Sequence, residues 1–287
     1  MKIWLDGSLV DEAEAKISVL DHGTLYGDGV FEGIRVYGGK IFEMRAHVER
    51  LFVSADKIRL EIPYDRQAII DAMYETLEAN GQRDAYIRLV VTRGPGTLGL
   101  SPFRCPTPTV FIIAGQIALY PQEMYDNGMA VIIAKTVRTS PTMLDPSVKS
   151  LNYLNNIMAK IEAVDAGVEE AVMLNVHGNV AECTGDNLFL VNDGQVRTPP
   201  TTAGVLVGVT RGVVIRLAGE LDIPLVEADI TPDQLHRADE CFLTGTAAEV
   251  IAVTRIDGRT IGTGKAGPVT TRLLKAFRDY IAAGDFE

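Results

Sequence analysis

The chain has 287 residues, 47% of them hydrophobic and 23% charged, with a formal net charge of -11. This composition is ordinary for a globular protein, and the length suffices for two domains or one large one. Because nucleic acids and anionic membranes bind surfaces rich in Lys and Arg, the acidic balance argues against either as the main partner.

Cys105, Cys183 and Cys241 are far apart in the sequence, and none belongs to a CxxC pair. This spacing argues against a disulfide framework or a zinc site, and it favours a reducing compartment. The N-terminal residues lack the apolar core of a signal peptide, and no run of about 18 apolar residues occurs. We therefore expect a cytoplasmic location.

The first third of the chain predicts a mixture of strands and helices. A hairpin is expected around Asp6-Gly7. One helix follows over residues 45–60, and a second begins after Asp65 and ends at Gly81. Strands are expected at DAYIRLVVTRG and TPTVFIIAG, on either side of the loop GPGTLGLSPFRCP.

Residues 118–127 predict a connector between two α+β domains. The smaller domain is expected at residues 1–117 and the larger at 128–287, which includes Lys149. The strands and helices do not alternate as regular βαβ units, so one doubly wound sheet is not expected. The GxGxxG match at residues 94–99 is followed by prolines and not by a helix, which argues against a dinucleotide site.

A lysine stands near the start of the segment PSVKSLNYLNNIMAK, residues 146–160. Apolar residues from Leu151 to Val164 recur at helical spacing, which predicts a buried helix with Lys149 just before it. Such a lysine is expected to be partly desolvated and nucleophilic. Tyr153 is expected on about the same helical face. The alternative is an ordinary surface lysine.

Three further features have the chemistry of an acid or an anion site. Glu182 ends a predicted strand, where it is either a turn residue or an acid held for a cationic partner. Gly208-Val209-Thr210 precedes a predicted helix whose free N–H groups and Thr hydroxyl suit an anion. The turn at residues 244–249 is similar. Each turn also fits a plain helix cap or loop.

Seven segments, in order along almost the whole chain, resemble one family. They are YGDGVFEGIRVY (26–37), HVERL (47–51), VKSLNYLNN (148–156), ECTGDNLF (182–189), GVTR (208–211), LTGTAAEV (243–250) and GKAGPVT (264–270). The chain is similar to the class IV aminotransferases, which are fold-type IV pyridoxal phosphate enzymes, and most closely to branched-chain amino acid aminotransferases. The resemblance implies a two-domain α+β fold of the D-amino acid aminotransferase type.

The resemblance also implies how pyridoxal 5'-phosphate is held. Lys149 would be the catalytic, Schiff-base lysine, and Glu182 would keep the pyridine nitrogen protonated. Tyr153 would contact the ring hydroxyl. By its own sequence context Arg50 would be a solvated helix residue, but the resemblance assigns it to the phosphate. The other phosphate residues implied are Val209, Thr210 and Thr246. No metal ion is expected.

Substrate contacts are suggested by one strand and by the resemblance. In DAYIRLVV, Tyr86 and Arg88 project to the same side, where a phenol and a guanidinium suit a carboxylate. The wet face of an edge strand is the alternative. The resemblance implies further contacts from Phe31, Thr246 and Ala247, and from Tyr26 and Leu100 of the neighbouring subunit in a homodimer or larger homo-oligomer.

The implied activity is ping-pong transamination between branched-chain L-amino acids (Leu, Ile, Val) and 2-oxoglutarate, as in branched-chain amino acid biosynthesis. It gives branched 2-oxo acids and L-glutamate, with Lys149 as the general base. D-amino acid aminotransferase and aminodeoxychorismate lyase, which have the same fold, are alternatives. Thr92-Arg93 resembles the end of the corresponding strand in the D-amino acid enzymes, but the loop that follows lacks the His that those enzymes have there. A non-catalytic binding protein is the alternative from another class.

Overall fold

A computed structural model describes residues 1–117 and 120–286. These residues group into two compact units, one of residues 1–117, 148–153 and 284–286, and one of residues 120–147 and 154–283. Positions 118 and 119 of the predicted connector, and position 287, lie outside the described residues. The predicted domain boundaries stay a prediction. By its contacts, the segment that carries Lys149 groups with the first unit and not with the residues that follow 128.

The first unit contains a six-stranded antiparallel sheet in the order β2-β1-β6-β5-β3-β4. Its elements are β1 Lys2–Leu5, β2 Ser8–Asp11, α1 His22–Tyr26, β3 Gly29–Tyr37, β4 Lys40–Ile41, α2 Met44–Lys57, α3 Arg66–Ala79, β5 Ala85–Thr92, a 3-10 turn Pro102–Arg104 and β6 Thr109–Gly115.

The core of this unit lies where α2 and α3 cover one face of the sheet. Ile87, Leu89 and Val91 of β5 are fully buried there. Because successive strand residues point to opposite faces, Tyr86 and Arg88 lie on the other side, as predicted. The loop that contains GxGxxG leads only to the short 3-10 turn, so the helix that a dinucleotide site requires does not follow it.

The second unit contains a nine-stranded mixed sheet in the order β12-β11-β10-β13-β14-β7-β8-β9, with β15 paired to β14. Its elements are α4 Gln122–Asn127, β7 Met129–Ile133, α5 Leu154–Asp165, β8 Glu170–Leu174, β9 Val180–Cys183, β10 Asn187–Asn192, β11 Gln195–Thr198, a 3-10 turn Thr201–Ala203, α6 Val209–Glu220, β12 Leu225–Glu227, α7 Pro232–His236, β13 Glu240–Gly245, β14 Glu249–Ile256, β15 Arg259–Thr260 and α8 Pro268–Ala283.

The larger apolar core in this unit joins the central strands, with Leu188, Leu243 and Val253 among its buried side chains. The two mixed helix-and-sheet units confirm the predicted α+β class. Across residues 1–117 and 120–286, we find no helix that is both long and apolar enough to cross a membrane.

Candidate active site

Lys149 lies in the first unit on a short extended segment beside the start of β3. Its carbonyl oxygen accepts a hydrogen bond from Phe31 N at 3.0 Å, and its own N–H donates to Ser54 Oγ at 3.2 Å. Leu151 N donates to the carbonyl oxygen of Gly29 at 2.9 Å. A Cβ at Gly29 would lie 2.6 Å from Leu151 Cδ1, so this close approach requires glycine. The backbone on both sides of the lysine is therefore fixed.

The amine of Lys149 lies against aromatic side chains. Its Nζ atom is 3.4 Å from the Tyr153 hydroxyl and 4.6 Å from the centre of the Phe31 ring. The Phe31 and Tyr153 rings meet edge to face, with centroids 5.1 Å apart. Three residues predicted for the site are thus brought together, and the lysine is half-buried instead of projecting into solvent.

The helix after Lys149 differs from the sequence prediction in two ways. Because α5 begins at Leu154, Lys149 and Tyr153 approach each other along extended chain and not along a helical face. The apolar stripe that was expected to be buried is exposed, by 64% at Leu154, 47% at Ile161 and 61% at Val164. The prediction of a buried helix is wrong for the single chain, because the opposite, small-residue face of α5 packs in an alanine-rich cluster with β8.

Arg50 on α2 is held by a buried acid on β3. Its Nε and Nη2 donate to the two carboxylate oxygens of Glu32 at 2.7 Å each, and His47 Nδ1 lies 2.7 Å from the same carboxylate. Burial alone would raise the pKa of Glu32, but the charge and hydrogen bonds of Arg50, with those of His47, hold it at about 2. Burial lowers the pKa of His47, so the imidazole is neutral at pH 7. Arg50 is therefore fixed in place and is not a freely solvated residue.

Tyr86 and Arg88 form a donor pair beside Phe31. The Arg88 guanidinium carbon is 4.7 Å from the centre of the Phe31 ring and 5.8 Å from that of Tyr86. A Cβ at Gly33 would lie 1.8 Å from the Tyr86 hydroxyl, so the glycine leaves the space that this phenol fills. Burial raises the pKa of Tyr86, which keeps its hydroxyl protonated. A phenol O–H and a guanidinium are suitable donors for a carboxylate.

Tyr26 and Leu100, the positions assigned to a neighbouring subunit's site, lie at the surface of this unit. Tyr26 ends α1, and its hydroxyl donates to the carbonyl oxygen of Leu98. The side chains of Leu98, Leu100 and Phe103 are 73%, 79% and 68% exposed. This loop presents several large apolar groups to its surroundings.

Glu182 lies in the second unit, buried near the end of β9. Oε1 accepts from Arg138 Nε at 2.9 Å, and Oε2 accepts from Leu206 N at 2.9 Å and from Asn187 Nδ2 at 3.2 Å. A buried carboxylate with a guanidinium and further N–H donors is stabilised in its ionised form. It is therefore a suitable acceptor for a cationic N–H group.

The N-terminus of α6 has the features of an anion site. Gly208 is the N-cap, and no side chain caps the first N–H groups. The hydroxyl of Thr210 is buried and has no hydrogen-bond partner among residues 1–117 and 120–286. A buried polar group left unpaired costs roughly 1–3 kcal/mol, which an anion bound here would offset. Val209 is the first residue of the helix.

Thr246 and Ala247 lie in the turn that joins β13 to β14, and both are half-buried. A Cβ at Gly245 would lie 1.9 Å from Asp186 Oδ1, so the turn packs tightly against the TGDN segment. The neighbouring Thr244 hydroxyl is also buried, and it has no hydrogen-bond partner in the described part of the chain. Like Thr210, the end of β13 before this turn thus carries a buried hydroxyl that is unpaired among the described residues.

Sequence reasoning missed the polar residues that hold the predicted ones. Glu32, His47 and Asn187 stand inside the quoted motifs, and a charged residue within the apolar run VFEGI was the signal for Glu32. Arg138 lies outside every motif, and only its position after a strand could have drawn attention to it. The predicted residues therefore form two sets, and each unit holds its own set with buried polar groups.

The chain is similar to known proteins over almost its full length. The family model described as amino-transferase class IV matches residues 29–256. Over 279 residues the chain is 50% identical to the putative branched-chain-amino-acid aminotransferase of Methanocaldococcus jannaschii, a match that covers 97% of this chain and 96% of that protein. The chain belongs to the class IV aminotransferases.

Solved structures agree with this class IV aminotransferase fold. The branched-chain amino acid aminotransferase of Escherichia coli matches with a TM-score of 0.94 at 34% identity, covering 97% of this chain and 93% of that one. A T.th. branched-chain amino acid aminotransferase, solved with pyridoxamine 5'-phosphate, matches with a TM-score of 0.94 at 39% identity, covering 99% and 94%. The predicted family and its fold-type IV architecture are confirmed.

The polar groups of this class IV aminotransferase fit a phosphorylated pyridine cofactor. The unsatisfied hydroxyl of Thr210, at an uncapped helix start, suits a phosphate. The ionised carboxylate of Glu182 suits a protonated ring nitrogen, and the amine of Lys149 suits an aldehyde. The donor and acceptor types needed for such a group are all present.

Proposed function

We propose that this chain is a pyridoxal phosphate-dependent branched-chain amino acid aminotransferase. It transfers the amino group of L-leucine, L-isoleucine or L-valine to 2-oxoglutarate and yields the branched 2-oxo acid and L-glutamate. The observation that carries the proposal is the fixed, half-buried Lys149 amine beside Phe31 and Tyr153. The 50% identity, over 97% of this chain, to a protein named as a putative branched-chain-amino-acid aminotransferase supports it.

Pyridoxal phosphate, when bound, supplies an electron-withdrawing ring that stabilises negative charge at the substrate Cα. We assign its aldehyde carbon to Lys149, its ring nitrogen to Glu182 and its ring hydroxyl to Tyr153. From the family resemblance, we assign the phosphate to Arg50, Val209, Thr210 and Thr246. Two of them are supported by contacts in the structure. Glu32 fixes the orientation of the Arg50 guanidinium by accepting from Nε and Nη2, and the Thr210 hydroxyl has no hydrogen-bond partner among the described residues.

In the proposed reaction Lys149 moves the proton. Its amine would remove the Cα proton of the amino acid and would later return a proton to the carbon that had carried the cofactor's aldehyde. The hydroxyl of Tyr153, 3.4 Å from Nζ, limits where the amine can point. In the first half, water would release the 2-oxo acid while the amino group stays with the cofactor. In the second half, 2-oxoglutarate would take up that amino group by the same steps in reverse and leave as L-glutamate.

Substrate selection is assigned to the residues around Phe31. Tyr86 and Arg88 supply donors for a carboxylate, while the Phe31 ring offers an apolar surface for a branched side chain. From the family resemblance alone, we also assign substrate contacts to Thr246 and Ala247. One methylene in an apolar pocket changes the free energy by only about 1–3 kcal/mol. We therefore expect leucine, isoleucine and valine all to be used.

The geometry of Arg93 disfavours the D-amino acid alternative. Its guanidinium donates to both carboxylate oxygens of Asp28, at 2.9 and 3.0 Å, and to the carbonyl oxygens of Ile58 and Arg59 at 2.7 Å each. Because Arg93 is also buried, its donors are committed to holding the loop and are not presented to a substrate carboxylate.

We also propose a cytoplasmic homodimer or larger homo-oligomer, in which Tyr26 and Leu100 of one copy reach the site of the next. The exposed apolar side chains of the loop at 98–103 and the exposed stripe on α5 support this proposal. A monomer that leaves so many large apolar groups in water is unusual, since large apolar patches commonly mark interfaces.

The proposal can be tested by trapping the cofactor on its lysine. Protein loaded with pyridoxal phosphate is reduced with borohydride, digested and analysed by mass spectrometry. We expect the reduced cofactor on the peptide that contains Lys149, and none on that peptide in Lys149→Ala. Attachment at another lysine, or at none, would show the assignment to be wrong.

A further inference from the structure

Arg138 is a buried arginine that belongs to none of the seven motifs. It follows β7 in the second unit, and its side chain is 8% exposed. Its Nε donates to Glu182 Oε1 at 2.9 Å, while Nη1 donates to Asn156 Oδ1 and to Thr139 Oγ1, each at 3.2 Å. The guanidinium therefore contacts Glu182 through Nε, and the hydrogen bonds of Nη1 to Asn156 and Thr139 hold it in place.

The two asparagines at the start of α5 fix this arginine. Asn156 is itself anchored, because its Nδ2 donates to the Thr184 carbonyl oxygen at 2.8 Å. Asn155 Nδ2 donates to the carbonyl oxygen of Val137 at 2.9 Å, and its Oδ1 accepts from Thr139 N at 3.2 Å. These contacts explain the pair of asparagines in the motif VKSLNYLNN, which the proposed reaction does not otherwise use.

Two arginine–glutamate pairs whose acids are buried, Arg50–Glu32 and Arg138–Glu182, differ in how the guanidinium is held. Arg50 gives the fork of its guanidinium to Glu32, so the acid positions the arginine. Arg138 donates to Glu182 Oε1 through Nε, and the second carboxylate oxygen accepts from the neutral donors Asn187 Nδ2 and Leu206 N. Here the arginine positions the acid. Its positive charge also stabilises the carboxylate in a way that the two neutral donors cannot.

Resting on the proposed function, we propose that Arg138 is a positioning residue that keeps Glu182 an ionised acceptor for the pyridine N–H of the cofactor. Without a cationic partner a buried carboxylate tends to take up a proton. A protonated Glu182 would donate its O–H to an unprotonated ring nitrogen. The ring would then withdraw electrons less strongly, so the charge state set by Arg138 controls the rate of proton removal at Cα.

The test compares Arg138→Met and Arg138→Lys with the wild type, each loaded with pyridoxal phosphate. A protonated ring nitrogen lowers the basicity of the nitrogen that joins Lys149 to the cofactor. In Arg138→Met the pH midpoint of the visible absorption band should therefore rise by about one pH unit or more. We expect kcat to fall about 100-fold, with KM for 2-oxoglutarate within about threefold, because only the reacting ring is affected. Arg138→Lys keeps the positive charge, so its band midpoint and its kcat should both lie close to those of the wild type.

Arg211→Met is the matched control. Arg211 is also buried in the second unit, where it pairs with Glu227 at 2.7 Å. Its loss should lower the melting temperature but leave the midpoint of the band unmoved. Should Arg138→Met not fold, Asn156→Ala replaces it, since it removes one hydrogen bond that holds the guanidinium and should move the midpoint in the same direction by a smaller amount.

The outcomes separate this role from the proposed function. A wild-type protein that gains no visible band with pyridoxal phosphate would refute both. A normal wild-type band whose midpoint does not move in Arg138→Met, or in Asn156→Ala, would refute only the role of Arg138. Equal loss of kcat in Arg138→Lys and Arg138→Met would also refute it, because the charge would then not be what matters.

Discussion

Glu32 and Arg50 form a buried, two-pronged ion pair in which the acid determines where the guanidinium points. Arg50 Nε and Nη2 lie 2.7 Å from the two carboxylate oxygens, and the Glu32 side chain is fully buried. His47, which is also on α2, contacts the same carboxylate through Nδ1. This network orients the arginine that we assign to the cofactor phosphate.

Glu32→Gln should weaken cofactor binding. The amide removes the negative charge and one of the two acceptors of Arg50, and a hydrogen bond to a charged group contributes about 1.5–3 kcal/mol. The dissociation constant for pyridoxal phosphate, measured by absorbance titration, should rise about 10- to 100-fold. Glu49→Gln is the control, because Glu49 pairs with Arg66 on the exposed side of α2. Equal affinities in wild type and Glu32→Gln would contradict the assigned role.

Acid should destabilise the first unit in two stages. Burial lowers the pKa of the folded His47 below its usual value of 6.5. As the pH falls below 6.5, the unfolded chain therefore takes up a proton at His47 more readily than the folded chain, and the free energy of unfolding falls. Glu32 has a folded pKa of about 2 against 4.5 when unfolded. Its contribution is complete above pH 4.5 and is lost as pH falls toward 2. The loss is roughly 3 kcal/mol.

Urea unfolding followed by the fluorescence of Trp4 can measure this loss. Trp4 is the only tryptophan of the chain and lies in the core of the first unit. The free energy of unfolding should fall between pH 7 and pH 5.5, and more steeply below pH 4.5. Glu32→Gln should flatten the lower stage but not the upper one, because the charge and hydrogen bond of Glu32 raise the pKa of His47 and their loss leaves that pKa lower still. A free energy of unfolding that is constant from pH 7 to pH 3.5 would rule out these titrations.

Thr210→Val should separate cofactor binding from stability. The hydroxyl is buried without a partner among the described residues, so its replacement should leave the cofactor-free protein equally stable or more stable by about 1 kcal/mol. The affinity for pyridoxal phosphate should instead fall about tenfold, since one donor to the phosphate is lost. Thr270→Val is the control: its hydroxyl is also buried and unpaired in the described chain, but no cofactor contact is assigned to it. A parallel change of affinity in both variants would contradict the phosphate site.

Ile161→Glu should weaken self-association. Ile161 is 47% exposed in the middle of the apolar stripe on α5, so the charge is tolerated by the single chain but not by an interface that buries it. Light scattering should show a lower mass than for wild type at the same concentration. Val176→Glu is the control, because Val176 is 52% exposed outside the stripe. If Ile161→Glu has the same mass as the wild type, α5 is not part of the interface.

Local patterns were sufficient to predict most elements. Asp65 caps α3 through a hydrogen bond from Ala68 N at 2.8 Å, and Gly81 takes up the left-handed conformation with φ of +61°. The alternation along β5 correctly separates the buried Ile87 and Leu89 from Tyr86 and Arg88. Caps, turns and strand alternation depend on neighbouring residues alone, so one sequence is enough to find them.

Features that depend on distant partners could not be predicted in this way. The stripe on α5 predicts a buried helix, but periodicity does not reveal which face packs, and here Ala159 and Ala163 are the buried ones. The same limit applies to Arg50, because its partner is 18 positions away on another element. Arg138 and Glu182 are 44 positions apart, and the sequence around either residue does not indicate that they pair.

The most direct test of the central claim is a panel of amino donors with 2-oxoglutarate, with L-glutamate as the measured product. L-leucine, L-isoleucine and L-valine should each support turnover that depends on added pyridoxal phosphate, and Lys149→Ala should abolish it. D-alanine should be inactive or far slower. Turnover with D-alanine above that with all three branched L-amino acids, or no turnover with any of the three, would contradict the account.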